Sequence, residues 1–284
     1  FKKLGRPRLF FGISPGCMDS MVNKYTANRR LRSEDAYSPD GRHDCRPEYP
    51  TIVYSQILRQ LYPDVPIVLG GIEASLRRLT HYDYWQDKLM KCILIPSGAD
   101  IISYGMGEKT ILRIAEELGK GRSIGSLREL PQTVYLAKEN EIPGGIREDD
   151  IVLHSHEECL RNKKAEAENF RHIEEESNKI HAQRLLQKTD DVYEIGRASC
   201  RECFGGCAFC TISAHQGKFI ACRSKESILK EVKEVCQLPD FKGYLSDLGG
   251  PSANMYGMHG RNLKACERCK RPSCIHPQIC PNLN

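Results

Sequence analysis

The stretch "CFGGCAFC", Cys203 to Cys210, holds three thiols at C-x3-C-x2-C spacing. A closed zinc site takes four ligands, usually as two C-x2-C pairs. Three thiolates in one compact loop suit an iron–sulfur cluster instead. On a four-iron cluster they leave one iron open, and an open coordination position is what catalysis needs. Gly205 and Gly206 let the backbone curl close to a cluster that side chains would obstruct. Phe209, just before the last thiol, stands where an aromatic ring can flank a bound ligand.

A second group, Cys266, Cys269, Cys274 and Cys280, is spaced C-x2-C-x4-C-x5-C. Four thiols suit structural zinc or an auxiliary iron–sulfur cluster, and binding no metal is the third reading. The neighbouring Lys264, Arg268, Lys270 and Arg271 open a reading of another class. In it, the protein is a non-enzymatic zinc- or cluster-binding protein that holds nucleic acid through this basic segment. Iron with acid-labile sulfide would favour the enzyme. Zinc alone with salt-dependent RNA binding would favour the rival. His215 and His276 read as surface or capping residues. Cys17, Cys45, Cys92, Cys159, Cys222 and Cys236 read as small buried hydrophobes.

The chain as a whole sets limits on these readings. Its 284 residues are 40% hydrophobic and 28% charged, a globular composition. Fourteen cysteines without an export signal read as ligands and buried thiols in a reducing, cytoplasmic setting. No run of 18 apolar residues predicts a spanning helix. The net charge of +5 is spread along the chain, so nucleic acid is not indicated, and "NRRLR" at 28–32 reads as a solvated helix face. The chain opens in mid-flow at Phe1 and reads as a fragment at both ends.

The elements that must position these residues alternate in type. Strands are predicted at 8–14, 66–71, 100–107 and 133–137, with helices at 51–62 and 108–118. That order implies a parallel α/β sheet over 1–150. Residues 155–188 lack Pro and Gly and predict helix, opened by a Ser155–Glu158 capping box, so 151–190 reads as a helical connector. From 191 to 284 a cysteine loop precedes a helix at 224–238 and a strand at 241–251, a plausible start of a second βαβ arrangement.

These residues resemble a known family. The C-x3-C-x-aromatic-C loop is that of the radical S-adenosylmethionine (SAM) superfamily. "MDSMVNKYTANRRLRSEDAYSPDG", "PIVLGGIEASLRRLTHYDYW", "CFGGCAFCTISAHQGKFIACRSKESI", "SDLGGPSANMYGM" and "SCIHPQICPNLN" resemble the YgiQ-type radical SAM proteins. The resemblance implies a [4Fe–4S] cluster on Cys203, Cys207 and Cys210, with SAM chelating the open iron. One electron, from a reductant protein such as flavodoxin or ferredoxin, would cleave SAM to methionine and a 5′-deoxyadenosyl radical. That radical would take hydrogen from a substrate the resemblance does not name. Phe209 would pack on the adenine side, and Gly249 and Gly250 would face the SAM amino end. The implied fold is a cobalamin-binding-like parallel α/β domain followed by the opening units of a partial radical SAM (β/α) barrel, truncated at 284. For "VPIVLGG" a structural glycine turn is the plainer alternative to a cobalamin site, since no cobalt-ligating His is identifiable.

One stretch departs from the family. "EIGRASCRE", Glu194–Glu202, resembles a one-frame translation of a common sequencing adapter. It is expected to replace genuine sequence, including the first barrel strand, and Cys200 is then no ligand. A real, divergent loop is the alternative.

Overall fold

The computed structural model describes residues 1–197, 222–245 and 256–284, apart from 17, 44, 178, 180, 181, 270, 272, 273, 276 and 277. The first half alternates strand and helix. β1 (Phe11–Ile13) leads through α1 (Ser20–Lys24) and α2 (Pro50–Leu61) to β2 (Ile67–Leu69). α3 (Gly71–Leu76), the hairpin β3 (His81–Asp83) and β4 (Lys88–Met90), and α4 (Leu94–Ser97) follow. β5 (Ile101–Ser103), α5 (Glu108–Gly119) and β6 (Thr133–Ala137) complete this half. Next come β7 (Ile151–Val152), α6 (His156–Arg161), α7 (Lys163–Ser177), β8 (Arg184–Thr189) and β9 (Val192–Arg197).

Local chemistry explains the boundaries. Pro50 starts α2 at a position where its missing N–H costs nothing. Gly107 caps α5, and Gly121, at φ 82°, turns the chain away two residues beyond its end. The Ser155–Glu158 capping box opens α6 as expected.

Seven strands form one sheet in the order β1-β2-β5-β6-β9-β8-β7. β1, β2 and β5 are parallel, as the alternation with helices requires. β6 then pairs antiparallel with both β5 and β9, and β9 antiparallel with β8. The wholly parallel sheet expected from sequence is therefore corrected: the sheet is mixed. For β8 and β9 the cause is local: Asp190 and Asp191 make a tight turn, which joins only antiparallel strands. The helical reading of 155–188 is corrected as well. The charged helix ends at Ser177, and Arg184–Thr189 is a strand whose Leu185 and Leu186 are buried.

The core lies on both faces of the sheet. Ile67, Leu69 and Ile102 pack with Leu58, Ile93 and Leu94 on one face. Val68 and Ile101 pack with Ile114, Leu186 and Ile195 on the other. Successive strand side chains alternate faces, so a strand buried on both sides reads as an unbroken apolar run such as "IVL". After Arg197 no described residue is buried. That stretch contains the helix Lys225–Cys236 and the one-turn helix Leu263–Glu267. The strand expected at 241–251 is not found over 241–245, and 246–251 lie outside the described residues.

Candidate functional site

Cys203, Cys207, Cys210, Phe209, Gly249 and Gly250 lie outside the described residues, as do Cys17, Cys200, His215 and His276. What the structure builds is the sheet that precedes them and the thiol group that follows.

At the carboxyl ends of β1, β2 and β5 the chain turns on glycine and serine, where open α/β sheets hold ligands. Here protein groups fill the space the glycines leave. A Cβ on Gly71 would stand 2.6 Å from Ser14 Oγ, and one on Gly107 would stand 2.7 Å from Ser103 Oγ. A Cβ on Gly16 would meet the Tyr37 ring at 2.7 Å.

A buried polar network braces these turns. Asp19 caps α1, accepting from Met21 N at 3.0 Å, and binds the Arg77 guanidinium. Arg77 also donates to Glu73 O at 3.3 Å. Burial lowers the Arg77 pKa, but Asp19 beside it reverses the effect and raises it. Asp35 accepts from Asn23 Nδ2 at 2.6 Å, Tyr37 N at 2.9 Å and Arg46, which also reaches Pro15 O at 3.2 Å. Partial burial would raise the Asp35 pKa, yet these donors hold it at about 2. Burial pulls His81 down to about 4, so its imidazole is neutral at pH 7. Together these groups form a rigid support. Sequence reasoning did not single out Asp19, Arg77 or Asp35, although all three lie inside the long motifs quoted for the family resemblance.

"NRRLR" is not a helix face. Tyr25 and Leu31 bridge antiparallel, Arg29 sits at φ 57° in the turn, and its guanidinium stacks over Tyr84 at 4.7 Å. Among the scattered thiols, Cys92 and Cys159 are buried as expected, with burial pushing Cys159 up to about 12. Cys45, Cys222 and Cys236 are exposed, correcting their reading as core residues, because no apolar layer covers those segments.

Cys266, Cys269, Cys274 and Cys280 are all free and partly buried. Burial raises Cys266 and Cys274, and the other thiols of the group raise them further. Among the described residues no three His, Cys, Asp or Glu side chains are set as a ready-made metal site.

The radical SAM N-terminal family matches residues 1–201. The chain belongs to that family. It is similar to UPF0313 proteins of Bacteroides thetaiotaomicron and Porphyromonas gingivalis, 57% and 56% identical over the whole of this chain. These alignments cover 54% and 51% of the two relatives, so the chain spans about half their length. A UPF0313 protein of Geobacter sulfurreducens is 40% identical over 99% of the chain and 53% of its own length. No solved structure matches. The Bacteroides alignment runs to 337 positions and the Porphyromonas alignment to 326, against 284 residues here. By difference, about 53 and 42 positions have no counterpart in this radical SAM chain. Among its described residues no helix is long and apolar enough to cross a membrane.

Proposed function

We propose that the whole protein is a radical SAM enzyme, with Cys203, Cys207 and Cys210 as the protein ligands of a [4Fe–4S] cluster. The observation that carries this is the family match over 1–201 with the three-thiol loop directly behind it. The donor set suits the cluster: three thiolates leave one iron for the amino and carboxylate groups of SAM. The chemistry supplied by cluster and SAM together is one-electron cleavage to methionine and a 5′-deoxyadenosyl radical. Phe209 would flank the adenine, and the backbone at Gly249 and Gly250 would receive the SAM amino end. The electron comes from a protein such as flavodoxin or ferredoxin. The partial barrel opens in the segment from 191 onward, while β9 pairs with the preceding sheet.

The filled glycine turns at β1, β2 and β5 favour a structural role there over a cobalamin pocket. No observation favours the nucleic-acid-binding alternative. The test is anaerobic purification of the full-length protein, with iron and sulfide analysis and 5′-deoxyadenosine measured after reduction. Cys207→Ala is expected to lose both cluster and cleavage, and 5′-deoxyadenosine formed by that variant would overturn the assignment.

We further propose that Glu194–Glu202 stands in place of genuine sequence. That relatives carry positions this chain lacks supports a loss of sequence somewhere along it. For the stretch itself the support is Glu194, a fully buried carboxylate whose two oxygens have no hydrogen-bond partner among the described residues. Ile195 and Gly196, by contrast, fit their places, Ile195 in the core and Gly196 against Val134. Re-amplifying the source gene is expected to return a longer, different sequence between Tyr193 and Cys203. Recovery of the same nine codons would sink the proposal.

A further inference from the structure

The segment 259–284 is closed at its neck. Gly260 bridges Leu283, Arg261 N donates to Asn282 O at 2.7 Å, and Asn284 N donates to His259 O at 2.8 Å. Asn282 locks the same neck from its side chain, accepting from Asn262 N at 2.8 Å and donating to Asn262 O at 3.0 Å. Inside, Cys269 N donates to Cys266 O at 3.1 Å and Cys280 N to Cys274 O at 2.7 Å. The described backbone of the segment therefore holds a definite shape.

Burial does not account for that shape. No described residue of the segment is buried, and Leu263 and Ile279 are exposed. Units below about 40 residues rarely fold on apolar burial alone and use disulfides or metal instead. The four cysteines of this segment form no disulfide.

The thiols also have the surroundings that metal-bound sulfur needs. Asn282 Nδ2 donates to Cys266 Sγ at 3.1 Å, and Arg271 N donates to Cys269 Sγ at 3.5 Å. Donors aimed at sulfur orient first-rank ligands and stabilise their charge. A Cβ on Gly260 would lie 2.2 Å from Cys266 Sγ, so only glycine lets the neck close against that thiol. Four thiolates on a zinc ion, or on a [4Fe–4S] cluster, carry a net double negative charge. Lys264, Arg268 and Arg271 are spaced around them in the sequence and offset it.

We propose that Cys266, Cys269, Cys274 and Cys280, which are not gathered into a ready-made site here, draw together on a metal into a closed tetrathiolate centre that folds residues 259–284 and is distinct from the three-thiol loop at 203–210. With all four positions taken by protein, the centre is structural. Its metal is zinc or iron in a cluster, since both share this donor set. Binding displaces four thiol protons, so affinity falls with acid.

The test uses the full-length protein, purified without oxygen, and reads metal content and thiol protection, not turnover. Cys207→Ala removes the first centre, and the remaining metal is assayed. One zinc per chain identifies a zinc knuckle, and iron with matching sulfide identifies a cluster. Absence of both overturns the proposal. In the unmutated protein, alkylation followed by mass spectrometry is expected to label the exposed Cys45 and Cys236 at once. The four knuckle thiols are expected to react together, and only after a chelator or acid is added. Labelling of those four as fast as Cys45 and Cys236 overturns the proposal without any variant that must fold. A failed radical SAM assignment would show instead as Cys207→Ala leaving total metal unchanged.

Discussion

In a chain made with this sequence, whatever stands at 194–202 in the source gene, replacing Glu194 with leucine is expected to stabilise the sheet domain, increasingly so as pH rises. Glu194 sits in β9 opposite Leu136 of β6 and Gln187 of β8, with no exposed surface. Burial raises its pKa from 4.5 to about 7, and the Thr189 hydroxyl nearby gives only partial relief. The folded state thus keeps a proton that the unfolded chain releases between pH 4.5 and 7. Its contribution to stability is intact below pH 4.5, falls through that window, and is fully lost above about pH 7. At about 1.36 kcal/mol per pKa unit the loss is about 3 kcal/mol. His81 works in the opposite direction, because its pKa of about 4 makes stability fall as pH drops below 6.5. His81 is present in both proteins, so its effect cancels in the difference between them. Denaturant unfolding, followed through the single tryptophan, Trp85, reports on the sheet domain. The gain from Glu194→Leu should grow by about 3 kcal/mol between pH 4.5 and pH 8. A gain that stays flat across that range would refute the buried, protonated carboxylate.

Two other substitutions probe the support under the strand ends. Arg77→Leu leaves Asp19 buried and unpaired, and should cost about 3–5 kcal/mol by the same Trp85 assay. Asp19→Leu combined with it should recover much of that, and a single-variant cost below about 1 kcal/mol would show the pair to be solvated. Gly71→Ala meets both φ 79° and the Ser14 hydroxyl, whereas Gly98→Ala meets φ 64° with nothing within 4 Å. Gly98→Ala should cost about 1 kcal/mol and Gly71→Ala clearly more, and equal costs would remove the close approach from the account.

Much of the fold was legible along the chain. Strands at 67–69, 101–103 and 133–137 and helices at 50–61 and 108–119 fall where apolar runs and the 3.6-residue period put them. What misled was charge density. "QRLLQK" looks like the tail of a charged helix, but only Leu185 and Leu186 in it are apolar, and a strand buries those as well. "NRRLR" likewise looks helical by composition, but its Leu31 bridges back to Tyr25 across a turn, and its Arg29 stacks on Tyr84, a partner elsewhere in the chain.

The sequence by itself determined which chemistry is proposed, because residue type and spacing are local: three thiols in eight residues, and four in fifteen. It also determined the class of fold, since periodicity records which faces need burial. Only the tertiary structure decided the strand directions beyond β5, the pairing of Asp19 with Arg77, and the closure of the four-thiol segment on Asn282. Each of these joins residues far apart in the chain, and no local preference specifies a partner 58 residues away, as Asp19 and Arg77 require. The same distinction singles out Glu194. In the sequence it stands out only as the first residue of the adapter-like stretch, and only its place at the centre of the sheet turns its charge into a cost.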